Sequence, residues 1–147
     1  DKYKIKIKLT RVNDYVEFLG SLPSSEVVKH HNYADVFILP SLSNKTGTEA
    51  LGLALMEAMS SGCTVIGTNV GGIPSLIKNG YNGILANQKD SNELYKSVAN
   101  LLKNKKKAES MGKNASALIQ KNYSWDKAGK EFIKIYEKAL KCTPCSI

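Results

Sequence analysis

One short stretch of the chain decides the fold: Asp35-Val36-Phe37-Ile38-Leu39-Pro40. Its apolar residues run without a break until a proline ends them, which is typical of a strand in a parallel sheet, because such strands are buried on both faces. Similar apolar runs occur at residues 64–67 and 83–86, and another at 16–19 is closed by Gly20. The sequence therefore predicts four strands.

Longer helical patterns separate these runs, and strands that alternate with helices predict an α/β fold with a parallel sheet. A Rossmann-like parallel sheet flanked by helices is expected. Residues 1–12 fit an alternating strand or one face of a helix equally well. A loop is expected at residues 68–74, and Gly62 is expected to end the second helix. The predicted helices span residues 24–32, 49–60, 90–102, 105–121 and 125–141.

Two further expectations concern helix ends and packing. Asp90 and Glu93 form a capping-box pattern at the start of the helix at 90–102. Trp125 and Tyr136, on the last predicted helix, are expected to pack that helix against the sheet. Cys63 follows a glycine at the start of a strand-like run and is expected in the core.

Composition limits the class of protein. The chain has 147 residues, of which 42% are hydrophobic, enough for one domain. A low, odd cysteine count fits a reducing cytoplasm. The net charge of +8 indicates a solvated Lys-rich surface or one that attracts phosphates or anionic lipid. Aromatic residues do not interleave with the basic ones as single-strand binding requires, so no nucleic-acid partner is expected.

The loops that follow the strands are the expected ligand site, because open parallel sheets bind ligands at the carboxyl ends of their strands. The loop at residues 40–48 is rich in Gly and small polar residues, and a helix follows it. The amino end of a helix offers free N–H groups and a positive dipole end, which suit a diphosphate. Gly52 leaves out a side chain where a phosphate would approach.

Two carboxylates mark this predicted helix. Glu49 and Glu57, eight positions apart, would lie about 12 Å apart along one continuous helix and about 80° around it. They could address different parts of one long ligand. Thr46 and Glu49 also form a capping box, and Glu57 could be a satisfied structural residue on a helix that looks buried. The spacing leaves both interpretations open.

Five motifs, in order, resemble those of family-4-like, retaining glycosyltransferases with the GT-B fold, the glycosyl transferases group 1. Residues 33–41 resemble the family's strand and loop "ADVFVLPS", and residues 49–59 resemble "EGFGLVLLEAM". The segment at 62–74 resembles "GxPVIATDVGGIPE", and residues 80–85 resemble "GxNGLLV". Tyr123-Ser124-Trp125 resembles the "FSW" that opens the family's last helix. The match covers about residues 12–137 and implies the donor-nucleotide-binding, C-terminal domain.

The resemblance implies residue roles. Glu49 matches a Glu that contacts hydroxyls of the donor sugar and is the candidate catalytic residue. Glu57 matches a Glu that accepts hydrogen bonds from ribose hydroxyls, and the region near Leu22 matches the part that contacts the base. Backbone amides next to Gly52 match the segment that holds the diphosphate. The full donor-binding set is Leu22, Glu49, Ala50, Leu51, Gly52, Leu53 and Glu57.

The resemblance also implies a domain organisation. Residues 1–124 would form a partial Rossmann-like donor-binding domain, and residues 125–141 a helix that packs on it or crosses from it. Residues 142–147 would be a tail. Family members carry an N-terminal acceptor domain, and no counterpart of it is expected in this chain, so the chain alone is expected to be inactive.

The implied function is transfer of a sugar from a nucleotide-diphosphate sugar to an acceptor hydroxyl with retention, in polysaccharide, glycolipid or glycoconjugate synthesis. No cofactor and no obligatory metal are expected. The expected partners are the nucleotide-sugar donor, the acceptor domain, and a membrane surface or lipid-linked acceptor. The location would be the cytoplasm, at the inner face of the membrane.

Departures from the family pattern support an alternative. Ala50 and Leu51 stand where the family usually has Gly-Phe, and Ser75 stands where it usually has Glu. The alternative is a truncated or degenerate module that binds a nucleotide or a partner without catalysis.

Overall fold

A computed structural model describes residues 12–43 and 51–141. The segment at residues 1–12, for which the sequence left strand and helix open, therefore lies outside the described residues except for Val12. A 3-10 helix, Asn13–Tyr15, comes first. The strands are β1 (Phe37–Leu39), β2 (Val65–Thr68) and β3 (Ile84–Ala86), and the helices are α1 (Ser24–Tyr33), α2 (Leu53–Ser60), α3 (Ile73–Leu76), α4 (Ser91–Lys103), α5 (Lys105–Asn122) and α6 (Trp125–Lys141).

The described strands form one parallel sheet in the order β1-β2-β3. Phe37 pairs with Val65, and Ile66 pairs with Ile84. All four residues of the central strand β2 are buried, as expected for a strand covered on both faces. The predicted α/β architecture, a parallel sheet flanked by helices, is confirmed.

Two apolar clusters cover the sheet. One is built largely from α2 and its neighbours and includes Leu55, Met59 and Ile73, each fully buried. The other includes Ile66 from β2 and Leu101 from α4. Helix α5 contributes to both, with Met111 in the second cluster and Ala115 and Ile119 in the first. This helix therefore joins the two layers, and Cys63 lies in the first cluster as predicted.

Helix α2 begins later than predicted. Leu51 and Gly52 are not helical, and Gly52 adopts a left-handed conformation with φ of 69°. A helix cannot run through such a residue, so α2 starts at Leu53. The predicted continuous helix from Glu49 to Glu57 is therefore wrong, and the 12 Å spacing derived from it is not tested, because Glu49 lies outside the described residues.

The predicted end of α2 is confirmed. Gly62, with φ of 77°, accepts the left-handed conformation that closes a helix. Its N–H donates to the Met59 carbonyl and the Cys63 N–H donates to that of Ala58, which is the Schellman arrangement. A smaller correction concerns helix α3. It begins inside the loop predicted at residues 68–74, because Pro74 in its first turn has a backbone φ angle suited to the start of a helix.

The predicted strand at residues 16–19 is wrong. These residues have no strand conformation, and Val16, Phe18 and Leu19 are 41%, 48% and 43% exposed. A strand exists only when a neighbour pairs with it, and the described strands pair only with one another. The described sheet therefore has three strands and not four.

The expected packing of the last helix against the sheet is also wrong. Trp125 is 91% exposed, Tyr136 is 65% exposed, and α6 has no buried residue. The helix itself was predicted with the correct bounds. Its apolar residues share one face because they recur at helical spacing, as at Trp125, Phe132 and Tyr136. No described segment covers that face.

The turn between α3 and β3 is held by one buried side chain. Asn82 is 2% exposed, accepts a hydrogen bond from the Lys78 N–H at 2.7 Å, and donates one to the Leu76 carbonyl at 3.0 Å. The next residue, Gly83, packs so closely that a Cβ would lie 2.8 Å from Cγ2 of Val65. The motif at residues 80–85 is therefore explained by packing.

Replacing Asn82 by alanine is expected to destabilise the domain by about 2 kcal/mol, because it leaves one buried and one part-buried backbone group without their partner. Urea unfolding measures this. Asn114→Ala is the control, since Asn114 makes one exposed hydrogen bond to the same turn, at the Tyr81 carbonyl, and should change stability by less than about 1 kcal/mol. Equal losses in the two variants would contradict the assigned role of Asn82.

Candidate functional site

The candidate site lies at the carboxyl ends of β1 and β2. Residues 40–43 leave the end of β1, β2 ends at Thr68, and the chain re-enters the described structure just before α2. Gly52 is buried there, and a Cβ on it would lie 3.5 Å from Leu39 and 3.6 Å from Ile73. The packing of this glycine fixes where α2 begins relative to the end of β1.

The amino end of α2 supplies backbone donors. The first N–H groups of a helix have no partner within it, and the N-cap residue Gly52 carries no side chain that could accept from them. The first regular bond of this helix runs from the Met56 N–H to the Gly52 carbonyl, at 3.1 Å. The eight-residue helix thus presents its positive dipole end at the carboxyl edge of the sheet.

Glu57 lies on the outer face of α2. The residues of the inner face, Leu55, Ala58 and Met59, are fully buried, whereas Glu57 is exposed. The sequence suggested a carboxylate on a buried helix, where desolvation would be costly. Its exposure removes that cost, so the carboxylate is free to accept hydrogen bonds from a ligand in water-accessible space.

A cavity of about 380 Å³ adjoins Glu57. Helix α2 forms one wall, and the end of α5 with the start of α6 forms the other. Leu53 and Glu57, both in the predicted donor-binding set, line it together. The aromatic residues of its far wall, Tyr123 and Trp125, were not predicted to take part. Its full lining is Leu53, Met56, Glu57, Ser60, Ile119, Gln120, Tyr123, Ser124 and Trp125.

The other predicted site residues fall in three places. Leu51 is 41% exposed beside the buried Gly52. Leu22 is half-buried in the turn before α1 and is not part of the Glu57 cavity. Glu49 and Ala50 lie outside the described residues, and so does the capping box of Thr46 with Glu49. The structure thus brings together Leu53 and Glu57.

Two side chains that the sequence did not indicate hold the loop at residues 40–43. Thr68 Oγ1, at the end of β2, donates to the Ser41 carbonyl at 2.6 Å. Gln88, just after β3, accepts from the Ser43 N–H through Oε1 at 3.1 Å. Each side chain lies far in sequence from the residue that it binds, at 27 and 45 positions, so no local pattern joins them. The sequence offered one local signal, the hydroxyl of Thr68 at the end of an otherwise apolar strand.

A second cavity, of about 300 Å³, lies at the opposite edge of the sheet, before β1 and β2. Its lining includes His31, whose buried Nε2 has no described hydrogen-bond partner, and Cys63. Burial raises the pKa of the Cys63 thiol, and a backbone hydrogen bond from Phe37 lowers it less. A protonated thiol is a poor nucleophile. Since ligands of open parallel sheets bind at the carboxyl ends, the edge at which α2 begins remains the candidate site.

The chain matches a known family over most of its length. The family described as Glycosyl transferases group 1 matches residues 1–118. A GDP-mannose-dependent alpha-(1-6)-phosphatidylinositol monomannoside mannosyltransferase of Mycobacterium tuberculosis is 31% identical over 117 residues, covering 78% of this chain and 30% of that protein. The sulfoquinovosyl transferase SQD2 of Arabidopsis thaliana is 36% identical over 111 residues, covering 74% of this chain and 21% of that protein.

Solved structures agree in fold. Sucrose-phosphate synthase from Thermosynechococcus elongatus superposes with a TM-score of 0.88 at 22% identity, over 97% of this chain and 34% of that one. Anabaena HepE, solved in complex with UDP and glucose, superposes with a TM-score of 0.83 at 20% identity, over 93% of this chain and 36% of that one. The chain thus spans about a third or less of the length of these proteins.

Proposed function

The chain belongs to the glycosyl transferases group 1 family, and on that premise we propose that it is the donor-binding part of a retaining glycosyltransferase. The enzyme would move a sugar from a nucleotide-diphosphate sugar to an acceptor hydroxyl. One observation carries this proposal: α2 presents its amino end at the carboxyl edge of the sheet and an exposed Glu57 one turn further on. A diphosphate and a ribose hydroxyl pair are the groups that such an arrangement suits.

Each part of the donor has a proposed contact. The diphosphate binds the backbone N–H groups at the start of α2, next to Leu51, Gly52 and Leu53, with Ala50 at the approach. The ribose hydroxyls donate to Glu57. The sugar hydroxyls bind Glu49, and the base lies near Leu22. Anabaena HepE, which shares the fold, was solved in complex with UDP and glucose, which supports a nucleotide-sugar donor.

The chemical demand on this half of the enzyme is charge stabilisation. The bond between the anomeric carbon and the diphosphate breaks, a bond to the acceptor oxygen forms, and negative charge gathers on the departing diphosphate. Oriented N–H groups at a helix start stabilise such charge without reorganising. No obligatory metal is part of this proposal.

The proposed partners follow from the share of the relatives that the chain spans. An acceptor domain in the remaining two thirds of such proteins would complete the cleft, and the uncovered apolar face of α6 is the surface we assign to it. Without that domain the chain would hold the donor but not transfer the sugar. No helix among residues 12–43 and 51–141 is long and apolar enough to cross a membrane.

The acceptor class is proposed from the relatives. The names of the mycobacterial and plant relatives refer to a phosphatidylinositol mannoside and to a sulfoquinovosyl group, which supports synthesis of glycolipids or other glycoconjugates. A lipid-linked acceptor would place the enzyme at the inner, cytoplasmic face of a membrane, where the net charge of +8 favours anionic headgroups.

One observation favours the alternative of a binding module without catalysis. Ser75 stands where the family usually has Glu, and its hydroxyl donates to the Gly72 carbonyl at 2.6 Å within its own turn. It therefore serves the local backbone, and a polar contact to the donor is lost at this position. A module of this kind would still hold a nucleotide or a partner.

A nucleotide titration tests the proposal. UDP, GDP, ADP and their sugar conjugates are added separately to the chain while backbone amide shifts are recorded. We expect one nucleotide to shift Gly52, Leu53 and Glu57 saturably, which also identifies the base. If the amide shifts of α2 stay unchanged at about millimolar concentration of every nucleotide, the free energy of binding is weaker than about 4 kcal/mol. The donor-binding role is then wrong, and the partner-binding alternative is favoured.

A further inference from the structure

The loop at residues 40–43 is held by hydrogen bonds from two separate places, the end of β2 and the turn after β3. The first tie is Thr68, which is 1% exposed and donates through Oγ1 to the Ser41 carbonyl at 2.6 Å. Since Thr68 ends the central strand, whose four residues are all buried, it cannot move without disturbing the core. This bond fixes one point of the loop to the buried central strand of the sheet.

The second tie comes from the turn after β3. Gln88 Oε1 accepts from the Ser43 N–H at 3.1 Å. The turn that carries Gln88 is itself held, because the Asn87 N–H donates to Glu93 Oε2 at 2.7 Å and the Glu93 N–H donates to Asp90 Oδ1 at 2.8 Å. Asp90 and Glu93, the capping residues of α4, thus hold the turn from which Gln88 binds the loop.

The two ties differ in character. Thr68 is buried and contributes to stability whatever else it does. Gln88 is exposed, and an exposed hydrogen bond between distant surface segments adds little to stability. Its geometric effect is larger, because it fixes Ser43, two residues beyond the point that Thr68 holds. A surface bond that orders a ligand-facing loop lowers the entropy lost on binding.

We propose that Thr68 and Gln88 are positioning residues of the donor site, which hold residues 40–43 at the carboxyl edge in the conformation that receives the nucleotide sugar. The inference rests on the proposed donor-binding function. Neither side chain needs to touch the donor. Both act through the backbone of the loop, at the Ser41 carbonyl and the Ser43 N–H.

Two matched pairs of variants test this. Thr68→Val removes the hydroxyl and keeps the shape, whereas Thr68→Ser keeps the hydroxyl. Gln88→Met removes the acceptor and keeps the length, whereas Gln88→Glu keeps an acceptor. Affinity for UDP, GDP, ADP and their glucose or mannose conjugates is measured by titration, first on the wild-type chain and then on each variant with the nucleotide that the wild type binds.

The expected result separates positioning from stability. Thr68→Val and Gln88→Met should each weaken nucleotide binding by about three- to tenfold, because the loop is then less ordered in the free chain and binding has to order it. Their partner Thr68→Ser should bind within about twofold of the wild type. Gln88→Glu, which keeps the acceptor but adds a negative charge, should bind within about twofold of the wild type when both are measured in about 0.5 M salt, which screens that charge. Gln88→Met should leave the melting temperature unchanged, while hydrogen exchange at the Ser43 amide becomes faster.

The possible failures are distinct. If the wild-type chain binds no nucleotide, the proposed function is wrong and this inference is wrong with it. If the wild type binds and Gln88→Met binds equally well, the inference alone is overturned. The Gln88 pair decides the matter even if Thr68→Val fails to fold, because Gln88 lies on the surface.

Discussion

Replacing Gly112 by alanine should destabilise the domain by about 3 kcal/mol or more, at the upper end of what overpacking costs. A Cβ at this position would meet the carbonyl oxygen of Gly62 far inside contact distance and would lie 3.1 Å from its carbonyl carbon. The obstacle is backbone and not a flexible side chain. Gly62 has φ of 77° and ends α2 by a Schellman turn, so it has little room to yield.

The same clash would separate α2 from α5, the helix that joins the two apolar clusters. Ser116 on α5 also donates to the Ser60 carbonyl at 3.1 Å, and this bond would be strained. The higher helix propensity of alanine returns only about 1 kcal/mol. Thermal unfolding should show a fall in melting temperature of roughly 6–12 °C for a chain of this size.

A matched control lies on α6. Gly129 is also a helical glycine, and a Cβ on it would have nothing within 4 Å. Gly129→Ala should therefore be neutral or stabilise the chain by up to about 1 kcal/mol. If Gly112→Ala proved as stable as Gly129→Ala, α5 could not cross the end of α2 at the distance described.

The contrast between these glycines shows what the sequence could predict. Helices α5 and α6 follow from local periodicity and end signals, and so does the end of α2 at Gly62. Nothing local distinguishes Gly112 from Gly129, because the difference lies in what each faces across the fold. The apolar run at residues 16–19 failed as a strand for the same reason, since pairing depends on a neighbour and not on the run itself.

The candidate site shows the same division. The motif around Glu57 was found because it lies in one continuous segment. The exposure of Glu57 was not predicted, because the residues on both sides of it are apolar. Only the packing of α2 distinguishes its buried face from its exposed face. Thr68 and Gln88 were missed because each acts on a loop that is distant in sequence. Trp125 was predicted to pack the last helix against the sheet, yet no described segment covers it.

Replacing Glu57 by glutamine should weaken nucleotide binding by about 10- to 100-fold, the effect of losing hydrogen bonds to a charged acceptor. The change is nearly isosteric, but it replaces a carboxylate oxygen by an amide NH₂, which cannot accept from a ribose hydroxyl. Because Glu57 is exposed on α2, the free energy of unfolding should change by less than about 0.5 kcal/mol. Loss of affinity without loss of stability would mark a ligand contact.

The division of roles between the two carboxylates makes this prediction sharper. The ribose is common to a free nucleotide and to its sugar conjugate, so Glu57→Gln should weaken both alike. Glu49→Gln should weaken mainly the conjugate, because only the conjugate carries the sugar. Glu109→Gln is the control, since Glu109 lines the cavity at the opposite edge of the sheet. Equal losses of free-nucleotide affinity in the Glu49 and Glu57 variants would refute the separate assignment of sugar and ribose. Glu109→Gln removes the same negative charge away from α2, so an equal loss in this variant would mean that the loss does not come from a contact at α2.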